Sequence, residues 1–139
     1  MTPKEFLRRV REIDRRIDET QERLDRMRAR LEAGRSSNLS GMPRGGALDW
    51  TETADRVIEL ERRYNGQIRD MCRLKQAAVT AIDRVEEANL REVLELYYLD
   101  GFTWEQVAER MNYEVRWIYI LHGRALREVR VPDEYRSSL

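Results

Sequence analysis

In the last third of the chain, Glu114, Val115, Arg116, Tyr119, Ile120 and Gly123 point away from the apolar positions Ile118, Leu121 and Ala125 if this stretch is helical. Their side chains carry the groups needed to read the edges of base pairs. An arginine such as Arg116 can donate two hydrogen bonds to O6 and N7 of guanine, and a carboxylate such as Glu114 can accept from N4 of cytosine. Val115 and Ile120 are apolar groups of the kind that meet a thymine methyl. Arg124 and Arg127, toward the end of the same helix, are placed for phosphates. Thr103 and the unpaired amides at the start of the preceding helix are further candidates to hold the sugar-phosphate backbone. No arrangement for substrate turnover stands out from the charge background: paired carboxylates, a nucleophile beside a base and a metal-ligand cluster are all missing. The expectation is a non-enzymatic chain with no cofactor and no metal. His122, the single histidine, reads as a polar contact at the helix edge.

Such a face must be presented by a rigid pair of helices. Thr103 has the hydroxyl of an N-cap, with Gln106 placed to return the hydrogen bond, and opens a short amphipathic helix from Trp104 to Met111. Ala108 is the small residue where two helices can cross, and Asn112 is a turn residue that tolerates a left-handed backbone. Val107, Met111, Tyr113, Ile118 and Leu121 lock the second helix across the first, and Ala125 continues that face. Leu90, Val93, Leu94, Tyr97 and Tyr98 form the stripe of a helix that ends at Asp100 and Gly101, after which Phe102 packs inward. Trp117 is expected to pack toward the bundle or the arm. The head therefore spans residues 88–131 as a helix-turn-helix bundle, followed by a loose tail at 132–139.

Residues 1–87 read as a helical arm. Thr2, Pro3 and Glu5 form a helix start, and Phe6, Val10, Ile13, Ile17, Leu24, Met27 and Leu31 make a seam stepping by threes and fours. Ala33 and Gly34 are a natural stop. Residues 34–49 then read as a flexible connection, and the short Arg44-Gly45-Gly46 run lacks the context of a phosphate-binding loop. Asp49 or Thr51 can cap a second helix beginning near Trp50. Its seam runs through Ala54, Val57, Glu61, Tyr64, Ile68, Met71, Lys75, Ala78, Ile82 and Val85. Two such narrow seams can zip as an antiparallel hairpin within one chain or as a coiled coil between two, so a homodimer through the arm stays open. The fold class is all-α: a long helical hairpin or coiled coil, then a helix-turn-helix bundle.

Across 139 residues, 26 basic and 26 acidic side chains cancel, and Lys4 and Lys75 are the only lysines. Without a basic excess, tight non-specific binding to nucleic acid by a monomer is not expected. The lone Cys72 excludes an internal disulfide and fits a reducing cytosol. The N-terminus runs straight into charged residues and no apolar run approaches a membrane span, so the expected location is the cytoplasm of a bacterial host, away from membranes.

The run YYLDGFTWEQVAERM, with Arg124-Ala125 beyond it, resembles region four of bacterial sigma factors, which reads the minus-35 promoter element. The string LHGRAL, from Leu121 to Leu126, and the aromatic-rich helix around it are similar to short phage and prophage regulators of the ArpU type. Pro43 to Gly46 looks like that family as well. The likeness covers the head well and the arm loosely. It implies promoter binding and transcriptional control of phage genes, with double-stranded DNA and RNA polymerase as partners. Two positions depart from the sigma pattern: Glu114 replaces a small hydroxyl residue, and Ile120 takes a basic position. No region-two equivalent is present, so promoter melting is not expected, and polymerase would be recruited or occluded. The competing reading is a protein-interaction adaptor using the long seams and the apolar face of the second helix.

Overall fold

The computed structural model describes residues 1–39 and 46–136, with side chains described for 1–34 and 51–136. Among these residues the secondary structure is entirely helical: α1 (Pro3–Leu39), α2 (Gly46–Asp83), α3 (Ala88–Leu94), a π-helical turn (Glu95–Leu99), α4 (Trp104–Met111), α5 (Val115–Glu128) and α6 (Asp133–Arg136). None of the described helices is long and apolar enough to cross a membrane. The chain divides into two compact units, one formed by Met1–Asp14 with the residues from Cys72 onward, the other by Arg15–Met71.

In the second unit, α1 and α2 lie against each other along a thin strip. Leu24 and Val57 are buried, while Ile17, Met27, Leu31, Tyr64 and Ile68 are half-covered. This is what a narrow heptad seam can bury, since its flanks are charged. Glu61, which interrupts the α2 seam, accepts from the Arg28 guanidinium on α1 at 2.6 Å. Within the other unit Lys75 does the same job in reverse, with its ammonium 2.9 Å from the Asp14 carboxylate. Both pairs are partly exposed and so add little stability. A charge in a seam favours the register in which the facing helix offers the opposite charge.

The helices run further than the sequence pattern predicts. α1 continues through Gly34 to Leu39, and α2 begins at Gly46, before Trp50. Residues 34–39 and 46–49 are therefore helical, and the rest of the predicted connection, 40–45, lies outside the described residues. A glycine inside a helix costs only about 1 kcal/mol relative to alanine, while each added residue contributes another backbone hydrogen bond. Gly34 stops a helix only if it turns left-handed; among the described residues the glycine with positive φ is Gly101, at 77°.

The predicted start of α1 is present, whereas the predicted cap at Asp49 or Thr51 is not, since α2 is already helical from Gly46. The Glu5 amide donates to the Thr2 hydroxyl at 3.2 Å, and the Thr2 amide donates to the Glu5 carboxylate at 3.0 Å. Phe6, Leu7, Val10 and Ile13 of α1 are buried in the first unit, as are Ala78, Ala81, Ile82 and Val85 at the end of α2 and Leu90, Val93 and Leu94 of α3. The residues after Pro132 are more ordered than expected. Asp133–Arg136 forms a helical turn, Arg136 donates from Nε to the Val131 carbonyl at 2.8 Å, and the Tyr135 ring sits 5.6 Å from Phe6. Residues 137–139 lie outside the described residues.

The π turn at Glu95–Leu99 is invisible to a pattern read with a period of 3.6. The Asp100 amide donates to the Glu95 carbonyl at 2.9 Å, five residues back, and the Phe102 amide reaches the Leu96 carbonyl at 3.0 Å, six back. The extra residue in the turn rotates the side chains beyond it. Leu96 and Tyr98 become the buried pair, and Tyr97 is left half-exposed.

Candidate nucleic-acid interface

α4 and α5 are joined by Asn112, Tyr113 and Glu114. The Thr103 hydroxyl accepts from the Gln106 amide at 3.2 Å, and the Gln106 side chain accepts from the Thr103 amide at 2.9 Å, which completes the capping box. Asn112 adopts φ 58° and ψ 40°, the left-handed conformation that ends α4, and the Tyr113 amide closes back onto the Ala108 carbonyl at 3.0 Å. Val107, Ala108, Ile118, Leu121 and Ala125 are buried, with Met111 and Tyr113 half-covered, so the residues expected to lock the two helices do so. α5 packs on both α3 and α4.

The opposite face of α5 is open. Glu114, Arg116, Tyr119, Ile120, Arg124 and Arg127 are exposed, and Val115 and Gly123 are half-exposed. Tyr119 is 51% and Ile120 42% accessible, unusually high for such large apolar groups. Glu114 is the N-cap residue of α5, and its side chain makes no cap hydrogen bond. Thr103 is exposed as well, with its hydroxyl oxygen used in the cap.

Trp117 departs from the expectation that it packs inward: it is 39% exposed. On a helix it lies about 100° from Ile118, at the edge of the buried stripe. The Arg124 guanidinium sits above its ring, 5.5 Å from the centroid, so a cation covers part of what the core does not.

An added Cβ at Gly123 would meet nothing within 4 Å. The fold does not require glycine there. Gly123→Ala is therefore expected to raise stability by about 1 kcal/mol, measured by urea denaturation. If the same variant binds duplex more weakly, that would mark Gly123 as a point of close approach by a ligand.

On the other edge of α5 lies a feature that the sequence pattern does not reveal. Lys4, Arg8 and Arg11 of α1, Tyr97 and Tyr98 of the π turn, Trp104 of α4, and Tyr119 and His122 of α5 line a cleft of about 320 Å³. Tyr97 is sandwiched, with Trp104 stacked at 3.7 Å and the Arg11 guanidinium 4.1 Å from its centroid. Arg11 also donates from Nη2 to the Phe102 carbonyl at 3.0 Å, while its Nε is buried without a hydrogen-bond partner. The available signal was the spacing of 4, 8 and 11 on one helix face, but it is submerged among the alternating acids of α1. A larger cleft of about 490 Å³, between the end of α2 and the segment around α6, mixes Arg84, Arg130 and Arg136 with Asp133 and Glu134 and has no uniform charge.

Tyr98 Oη and His122 Nε2 are 2.6 Å apart. Burial, with a smaller contribution from Tyr97, pushes the phenol up to about 12. Burial, reinforced by Lys4, pushes the imidazole down to about 4. Both groups are thus held neutral. At this distance the two share one hydrogen bond, whose donor is set by the imidazole tautomer. His122 is a packed, hydrogen-bonded residue against Trp104, whose ring centroid is 4.6 Å away.

This gives a pH dependence with a definite sign. Between the ordinary value of 6.5 and about 4, the unfolded chain holds a proton that the folded chain does not. Stability from this group is therefore complete above 6.5 and falls as pH drops toward 4. The expected loss is about 1–2 kcal/mol, reduced from the full linkage value because the ring is half-exposed. Urea midpoints across that range should fall more steeply for the parent protein than for His122→Gln; equal slopes would contradict the assignment.

Comparison with known proteins gives no match to a family model, to a curated protein or to a solved structure.

Proposed function

We propose that this chain is a sequence-specific DNA-binding regulator of transcription that places α5 in the major groove. The observation that carries the reading is the α4-turn-α5 unit: it is locked by buried apolar residues on one side and presents Glu114, Val115, Arg116, Tyr119 and Ile120 on the other. Among the described residues neither Arg116 nor Glu114 is tied up in an ion pair, so both are available to base edges. Thr103, Arg124 and Arg127 contribute phosphate contacts in this reading. The resemblance to ArpU-type and sigma region-four proteins extends it to promoters of phage or prophage genes in the cytoplasm of a bacterial host, with RNA polymerase recruited or occluded. A homodimer through the α1–α2 hairpin would raise affinity by tethering two heads.

The test is selection of binding sites from random duplexes. An enriched motif supports the reading, and paired half-sites at fixed spacing support the dimer. Failure of any duplex to bind at low salt, where phosphate contacts are strongest, overturns it.

A second reading has its own observation. Trp117, Tyr119 and Ile120 together expose apolar surface on one helix, as protein-interaction surfaces do. In that case α5 docks on another protein, and the chain is an adaptor. Capture of a stoichiometric partner lost on Ile120→Asp, with no duplex bound, would favour it.

A further inference from the structure

The geometry points to a phosphate clamp formed by Lys4, Arg8 and Arg11, which holds the DNA backbone along the edge of α5 that carries Tyr119 and His122. It rests on the reading that α5 enters a groove, and it adds a part of the molecule, the start of α1, that this reading does not itself require.

Acidic and basic residues are equal in number along this chain, yet among the described residues no carboxylate lines the cleft that Lys4, Arg8 and Arg11 share. None of the three forms an ion pair among the described residues. The capping role of Glu5 directs its carboxylate to the Thr2 amide. Uncompensated cations in one cleft are complementary to a polyanion, and a phosphodiester backbone supplies one anionic group per nucleotide.

The cleft is continuous with the open face of α5. Tyr119 belongs both to the open face of α5 and to the cleft, where its ring meets Trp104 edge-on at 5.6 Å. Helical spacing puts Arg124 and Trp117 on one edge of α5, and Tyr119 and His122 on the other, with Arg116, Ile120 and Gly123 between them. A helix lying in a groove has backbone on both flanks. Arg124 serves one, and the cleft supplies cations for the other.

The aromatic residues then act as a mount. Arg11 is fixed by the Tyr97 ring and the Phe102 carbonyl, and the neutral Tyr98–His122 pair adds no competing charge. Lys4 and Arg8 are exposed and turn toward whatever occupies the cleft.

The experiment compares the full chain with Lys4→Gln/Arg8→Gln on a random-sequence duplex and on a selected duplex, by fluorescence anisotropy over a KCl titration. The double variant is expected to show a slope of log K against log salt shallower by about 2, since each neutralised phosphate contributes roughly 0.9. Affinity should fall by the same factor on both duplexes, with sequence preference and helix content by circular dichroism unchanged. If the parent chain binds duplex and the variant keeps the same slope and affinity, the clamp is wrong while the groove reading stands. If the parent chain binds no duplex, both are wrong.

Discussion

Replacing Ile118 by alanine will lower the stability of the unit that contains α5 by about 2–5 kcal/mol, the range for truncating a fully buried aliphatic side chain. Ile118 has no exposed surface and lies on the helix that packs against both α3 and α4, so the space left behind has little chance to close. Ile120→Ala provides the control. It removes the same atoms from the same helix, but at a position 42% exposed, and should change stability by less than about 0.5 kcal/mol. Urea unfolding with far-ultraviolet circular dichroism measures both. Equal effects for the two variants would mean that α5 does not bury the Ile118 face and expose the Ile120 face. A large effect at Ile118 alone would tie the orientation of Arg116 and its neighbours to that one buried contact.

Arg116→Ala will relax sequence preference at one base pair and weaken binding to the selected duplex by about 1–3 kcal/mol, the worth of a good bidentate contact to guanine. The fold should be untouched, since Arg116 is exposed and forms no ion pair among the described residues. The discriminating measurement pairs the selected duplex with one altered at the guanine. The parent chain should distinguish them, and the variant should not. Unchanged affinity and preference would remove Arg116 from the interface. This behaviour differs from that expected of Lys4→Gln/Arg8→Gln, where both duplexes weaken alike and the salt slope changes, so reading and holding are separable by experiment.

Some of the fold was legible because it depends on neighbours in the chain. Thr2 with Glu5 and Thr103 with Gln106 close their own hydrogen bonds within one helical turn, so the four residues announce two helix starts. Asn112 is one of the few residue types that tolerate a left-handed turn, and it takes that conformation at φ 58°. The seams of α1 and α2 reflect the period of a helix, and their apolar residues are the ones covered. The ends of those helices were less legible. A lone Gly34 lowers helix stability without forbidding a helix, and only the local balance of hydrogen bonds decides where it stops.

An all-α chain, the helix starts of α1 and α4, the turn at Asn112 and the apolar side of α5 could all be read from the residues alone, because each is set by residues within a turn or two of one another. The rest came from how the folded chain packs. The fold placed Arg11 against Phe102, 91 residues away, and it introduced the π turn that leaves Tyr97 between Arg11 and Trp104. It also left Trp117 outside the core and held His122 neutral beside Tyr98. Packing between distant segments fixes which side of an amphipathic residue is covered and which charges are left without a partner, and no period along the chain encodes that.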